Sequence, residues 1–117
     1  MKSKTSPPWF PLWIDKWLFG STRYELQPDE RSVWVDLMAL SWKDGGYVRA
    51  NAGIPYPSKQ LAGMLNIDVE LLLRTVEKCK DCGKVIEGKD GTFYLPSFEE
   101  YKLTARHQRR FDFDVRK

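Results

Sequence analysis

A mainly α-helical domain closed by a small β-hairpin is the fold class this sequence predicts, and three observations carry the expectation. Residues 29–42 place apolar side chains at Val33, Trp34, Leu37, Met38, Leu40 and Trp42, the i, i+3, i+4, i+7 stripe of a helix that packs on a core. Two shorter amphipathic stretches, 57–65 and 68–79, then follow each other across Asn66-Ile67, the succession of a helix-turn-helix. Two β-rich runs, Val85-Ile86 and residues 92–95, are joined across Gly88-Lys89-Asp90-Gly91, and Asp-Gly between such runs is a strong local hairpin signal. With the short strand-like Tyr47-Val48-Arg49 between the first helix and the second, this order of elements is that of a winged helix-turn-helix.

The totals are compatible with one such domain. A chain of 117 residues with 42% hydrophobic and 14% aromatic content can bury a single core. Residues 1–8 are expected to be a disordered leader, because Lys, Ser and paired Pro bury too little apolar surface to offset ordering entropy. Residues 9–103 form the expected winged-helix domain and 104–117 a basic C-terminal arm. The first residues contain no apolar signal-peptide stretch, and no apolar run is long enough to span a bilayer, so a soluble, cytoplasmic protein without a membrane partner is expected. Net charge is +3, but its distribution says more. Residues 28–95 hold nine Lys/Arg against ten Asp/Glu, whereas 101–117 hold six against two and 1–27 four against two. The cationic character therefore belongs to the two ends.

Each element has a local reason. Trp9, Trp13 and Trp17 share a helical spacing, but Pro11 cannot donate in a helix interior, so an extended 9–13 and a short helix near 15–19, ended by Gly20, are expected. These tryptophans either strap the core or offer a binding platform. Pro28 suits the first turn of the long helix, and Asp29 and Glu30 suit its positive end. Asp44-Gly45-Gly46 stops it. Residues 50–56 make a loop before the helix begun by Pro57-Ser58, which buries Leu61, Ala62, Met64 and Leu65. Asp68 is the expected N-cap of the following helix. That helix is expected to bury Val69, Leu72, Leu73, Val76 and Cys79 and to leave Glu70, Leu71, Arg74, Thr75, Glu77 and Lys78 outward or at its margin. Ser97-Phe98-Glu99-Glu100 reads as a capping box, so a last helix is expected to begin at Phe98 and run toward Arg110.

Cys79 and Cys82 have the C-x-x-C spacing, but zinc would need two further ligands, and His107 is the single histidine. A redox pair would open a helix rather than end one. Cys79 is accordingly expected on the core face and Cys82 near the surface, with no metal and no cofactor. An enzyme is not expected: no nucleophile has a partner and no phosphate-binding glycine loop is present.

The segment 9–103 resembles the N-terminal winged-helix domain of phage replisome organisers and related DnaD-type replication-initiation proteins. The resemblance is carried by Trp9-Phe10-Pro11-Leu12, Glu30-Arg31-Ser32-Val33-Trp34-Val35-Asp36-Leu37, Asp44-Gly45-Gly46-Tyr47-Val48, Pro55-Tyr56-Pro57-Ser58-Lys59-Gln60-Leu61-Ala62 and Leu95-Pro96-Ser97-Phe98-Glu99-Glu100-Tyr101. Ser97-Phe98 stands where that family usually has Asn-Trp. The resemblance implies a role in replication initiation, with duplex DNA, further copies of the chain and a helicase or helicase loader as partners. Its motifs are structural, so it speaks to fold more directly than to function.

On a winged helix, the helix from Asp68 would enter the major groove with Arg74, Thr75 and Lys78 toward DNA, Ser58 and Lys59 would touch phosphate, and the wing would reach the backbone through Lys84 and Lys89. Arg106, His107, Arg109 and Arg110 would clamp phosphates from the C-terminal arm. The alternative is a protein-interaction or oligomerisation module without direct DNA reading, using Leu71, Trp9 and Trp13. It is suggested by Glu70 and Glu77 on the candidate recognition helix and by a nearly neutral domain.

Overall fold

A computed structural model describes residues 9–50 and 53–103. The architecture is mainly helical with a small three-stranded antiparallel sheet. Two short helices, α1 (Ile14–Phe19) and α2 (Ser21–Glu25), precede the long α3 (Pro28–Trp42); β1 (Tyr47–Val48) leads to α4 (Ser58–Leu65) and α5 (Val69–Asp81), and β2 (Ile86–Glu87) and β3 (Phe93–Tyr94) close the fold. Residues 97–103 are helical. None of the described helices is long and apolar enough to cross a membrane.

The start of α3 is built as its sequence suggests, with Pro28 in its first turn and the Gln27 N–H donating to Glu30 Oε1 at 2.7 Å. Its core stripe is the expected one, Val33, Trp34, Leu37, Met38 and Trp42 all being buried, and Leu40 packs at the margin. Gly20 separates α1 from α2, an element the sequence reading did not anticipate; a Cβ there would collide with the Lys16 carbonyl oxygen. Arg31 on α3 donates to the carbonyls of Arg23 and Leu26 at 3.1 and 3.0 Å, which ties α2 to the domain.

Helices α4 and α5 join at Asn66, whose left-handed backbone (φ 58°) ends α4; Asn tolerates that region better than most residues. Leu61 and Ala62 face the core, while Met64 is 47% exposed.

Helix α5 is rotated from its expected setting. Leu72, Thr75, Val76 and Cys79 are its buried residues, and Leu73 is 49% exposed. At about 100° per residue, Thr75 lies about 60° from Leu72 around the helix and Leu73 about 100° from it on the other side. Thr75 can occupy the core because its hydroxyl donates to the Leu71 carbonyl at 2.8 Å, leaving only its methyl to be packed. Leu71 lies half-buried at the margin of the core.

The sheet has the order β1-β3-β2, with Tyr47 opposite Tyr94 and Ile86 opposite the same residue from the other side. β1 and β3 are shorter than their runs in the sequence, and β2 is shifted along the chain by one residue. Val85 is drawn into the core and Lys84 and Val85 donate to the Cys79 carbonyl, so the hairpin begins one residue late. Thr92 is held by Asp90, whose Oδ1 accepts from the Thr92 hydroxyl at 2.7 Å and its N–H at 3.1 Å. Gly91 takes φ +89°, as the turn requires, and an added methyl there would lie 3.5 Å from Pro55 Cγ.

Phe98 and Tyr101 close the core from the terminal helical segment, Phe98 edge-on to Trp42 with ring centroids 5.2 Å apart. That segment starts at residue 97, one earlier than expected, and the proposed continuation toward Arg110 lies outside the described residues. The tryptophans of the N-terminal stretch divide. Trp17 stacks on Trp34 at 6.2 Å and Trp13 meets Tyr101 edge-on at 5.8 Å, both as straps over the core, whereas Trp9 stays 45% exposed.

Candidate nucleic-acid interface

Three basic side chains expected to face a nucleic acid are instead engaged within the protein. Arg74 reaches from α5 to the first turn of α3, its Nε donating to Glu30 Oε2 at 2.6 Å and its Nη2 to Asp29 Oδ2 at 2.8 Å. Lys78, one turn on, donates to the other oxygen of Glu30 at 2.9 Å. The carboxylate of Glu30 is thereby fully covered, although Arg74 and Lys78 keep 47% and 40% of their side chains exposed. Burial by itself pushes this carboxyl upward; the Gln27 N–H, then Lys78 and Arg74, more than reverse that and hold it at about 2. The same hydrogen bond to Glu30 raises the Arg74 guanidinium.

Lys84 also turns inward. Its ammonium lies 3.0 Å from Glu25 Oε1 and donates to the Ser21 hydroxyl at 3.4 Å, with 13% of the side chain exposed. It bridges to α2 and leaves the hairpin without it. Thr75, expected on the outward face of α5, is fully buried and drops out of the candidate set.

What α5 presents outward is mostly acidic. Glu70, Glu77 and Asp81 are exposed, Lys80 is paired with Glu77 and Glu87 at 3.3 and 2.7 Å, and Leu73 stands among them. Leu73, expected in the core, is thus outward. No angular signal could have found it, because 72, 75, 76 and 79 span about 100° around the helix and so do 69, 72, 73 and 76.

Ser58, Lys59 and Lys89 remain where the sequence reading put them. All three are exposed, and among the described residues no ion pair involves Lys59 or Lys89. Ser58 and Lys59 open α4, where the first backbone N–H groups have no partner within the helix. The hairpin turn carrying Lys89 lies close to the chain that enters α4, since a Cβ added at Gly91 would reach within 3.5 Å of Pro55 Cγ. Arg106, His107, Arg109 and Arg110 lie outside the described residues.

The cysteines behave as core and near-surface thiols. Cys79 is buried, which pushes its thiol up to about 12 and keeps it protonated; Cys82 donates to the Lys78 carbonyl at 3.1 Å. Among the described residues no group of His, Cys, Asp and Glu is arranged to hold a metal ion. Comparison with protein-family models, with curated proteins and with solved structures finds no match.

Proposed function

We propose that this chain is a winged helix-turn-helix module that grips duplex DNA by its phosphates along one edge, from Ser58 and Lys59 at the start of α4 and Lys89 at the wing turn, with the basic C-terminal arm adding sequence-independent contacts. The observation that carries the reading is the closeness of the wing turn to the chain entering α4, where a Cβ added at Gly91 would lie 3.5 Å from Pro55 Cγ, with the exposed Lys89 and Lys59 two and four residues along the chain from these points. A sheet of order β1-β3-β2, with the α4–α5 pair lying between β1 and β2 in the chain, supports the winged-helix assignment. Base reading by α5 is not part of the proposal: its outward face carries Glu70, Glu77 and Asp81, and Arg74 and Lys78 are held by Glu30. Phosphate contacts supply affinity without sequence information. A place in replication initiation, with a helicase or helicase loader nearby, rests on the sequence resemblance.

Fluorescence anisotropy with a labelled duplex over a range of salt tests this. Replacing Lys59 and Lys89 together by Glu weakens binding and lowers the slope of log affinity against log salt by about two. Removing residues 104–117 weakens it further, while Arg74→Ala changes affinity less than twofold. Binding that survives the double substitution and the truncation but is lost with Arg74→Ala overturns the edge model in favour of helix reading.

A second reading, a protein contact through α5, is favoured by Leu73, half-exposed within an acidic surface. Leu73→Glu then shifts sedimentation toward the monomer, because the contact would desolvate a new charge. An unchanged sedimentation profile removes Leu73 from any contact between copies.

A further inference from the structure

Of the eight glycines in the chain, Gly63 is the one whose presence the fold does not require. Five others have the left-handed backbone that favours glycine, and at the remaining two, Gly20 and Gly88, an added Cβ would meet a neighbouring atom at 2.4 and 3.2 Å. Gly63 has neither reason: it lies within the right-handed run of α4, and among the described residues nothing comes within 4 Å of where its Cβ would stand. Glycine is the poorest helix former after proline, because its backbone loses the most freedom on folding. An alanine would strengthen α4 without disturbing the rest of the domain, so glycine here points to something outside it. The surroundings of Gly63 indicate what. At about 100° per residue, Leu61 and Ala62 turn inward while Lys59, Gln60 and Gly63 share the outward side, all three exposed. Helical side chains lean toward the N-terminus, so one at 63 would cover the surface beside Lys59, one turn earlier. That surface suits a polyanion: α4 is the only described helix without an Asp or Glu, and Lys59 has no ion pair among the described residues.

We propose that Gly63 is a close-approach point for the sugar–phosphate backbone of duplex DNA: with no side chain at 63, a DNA strand rests directly on the α4 backbone and its phosphates come within reach of Lys59 and Gln60. Resting on the phosphate grip proposed above, this places the strand across the outward side of α4 as well as at its start. The contact is a fit of surfaces, because the N–H of a residue this far into a helix already donates to the carbonyl four positions back.

Gly63→Ala and Gly63→Gln, made in the full chain, separate this contact from the fold. Both substitutions add a good helix former and neither changes charge, so both are expected to raise the midpoint of urea unfolding. In fluorescence anisotropy with a labelled duplex, Gly63→Ala is expected to weaken binding about threefold and Gly63→Gln at least about tenfold, with the slope of log affinity against log salt within about one of the parent's because no cation is removed. Stability and affinity thus move in opposite directions, whereas a folding defect would lower both. Gly63→Gln that binds duplex like the parent, while charge reversal at Lys59 and Lys89 abolishes binding, overturns the inference and leaves the phosphate grip standing. A parent chain without duplex affinity overturns both. Unchanged affinity together with sedimentation shifted toward smaller species assigns Gly63 to a protein contact and overturns the inference as well.

Discussion

The seam between α3 and α5 and the edge where the hairpin turn meets the start of α4 each carry two basic side chains, and the fold treats them in opposite ways. At the seam, Arg74 and Lys78 close on Glu30 and Asp29. At the edge, Lys59 and Lys89 extend into solvent without a carboxylate partner among the described residues. The difference teaches that a cation's availability to a polyanion depends on what the fold brings against it. Glu30 is 44 residues from Arg74 and 48 from Lys78 along the chain, so the pairing has no local signature. The seam uses charge to hold two helices together; the edge leaves its charge in solvent.

The largest expected effect is at the seam. Glu30→Ala removes the acceptor for Gln27 N–H, Arg74 and Lys78 together and lowers unfolding free energy by about 2–3 kcal/mol in urea titrations. The lower part of the range for a broken buried pair applies because the carboxylate is covered by half-exposed partners that rehydrate when it is lost. Glu30→Gln, which keeps an acceptor for Gln27, recovers part of the loss. The same residue sets an acid limb. Its native carboxyl sits at about 2 against an ordinary 4.5, so its contribution is complete above about pH 4.5 and is lost as pH falls toward 2. The stability profile of Glu30→Gln is correspondingly flatter between those values. A parent profile equally flat there would mean that the seam pairs contribute nothing.

Next in size is the edge's backbone. Gly91→Val forces a β-branched residue to φ +89° beside Pro55 and costs about 1–2 kcal/mol, read as a lower melting temperature. It also weakens duplex binding, because the turn presenting Lys89 no longer holds its place. Full retention of both would detach the turn from the edge.

Charge reversal at Lys59 and Lys89 sharpens the contrast further. It leaves the midpoint of urea unfolding unchanged while weakening duplex binding, the converse of the Glu30 substitutions. A drop in the midpoint would show these lysines to be structural, like those of the seam.

The smallest effect is expected at Thr75. Thr75→Val keeps the buried shape and removes only the hydroxyl's bond to the Leu71 carbonyl, so stability changes by less than about 1 kcal/mol and DNA binding does not change. A selective loss of DNA binding would contradict its burial in α5.

Much of the backbone was legible from local patterns. The stripe 33–34–37–38–42 dictates a helix with one buried face, Pro28 dictates where it starts, and Asp90-Gly91 dictates a turn, because these signals act between residues a few positions apart. The candidate site was legible only in part. Ser58, Lys59 and Lys89 keep the exposure their positions suggest, since loop turns and helix starts face solvent. Arg74, Lys78 and Lys84 do not: their charges were visible in the sequence, but their partners on α3 and α2 were not. Thr75 and Leu73 exchanged places because hydrophobicity alone ranks Leu above Thr for burial, whereas a hydroxyl satisfied within its own helix removes the objection to burying Thr.

By itself, then, the sequence determined the order and kind of elements from α3 onward, a single apolar core and the concentration of positive charge toward the chain ends, all of which follow from spacing and composition. Only the tertiary structure decided the rotation of α5, the capture of Arg74 and Lys78 by Glu30, the inward turn of Lys84 and the burial of the Trp34 indole N–H without an acceptor among the described residues. Each of those depends on which distant side chains meet in space, and a charge or a hydrogen-bond donor takes its meaning from that neighbour rather than from its own position in the chain.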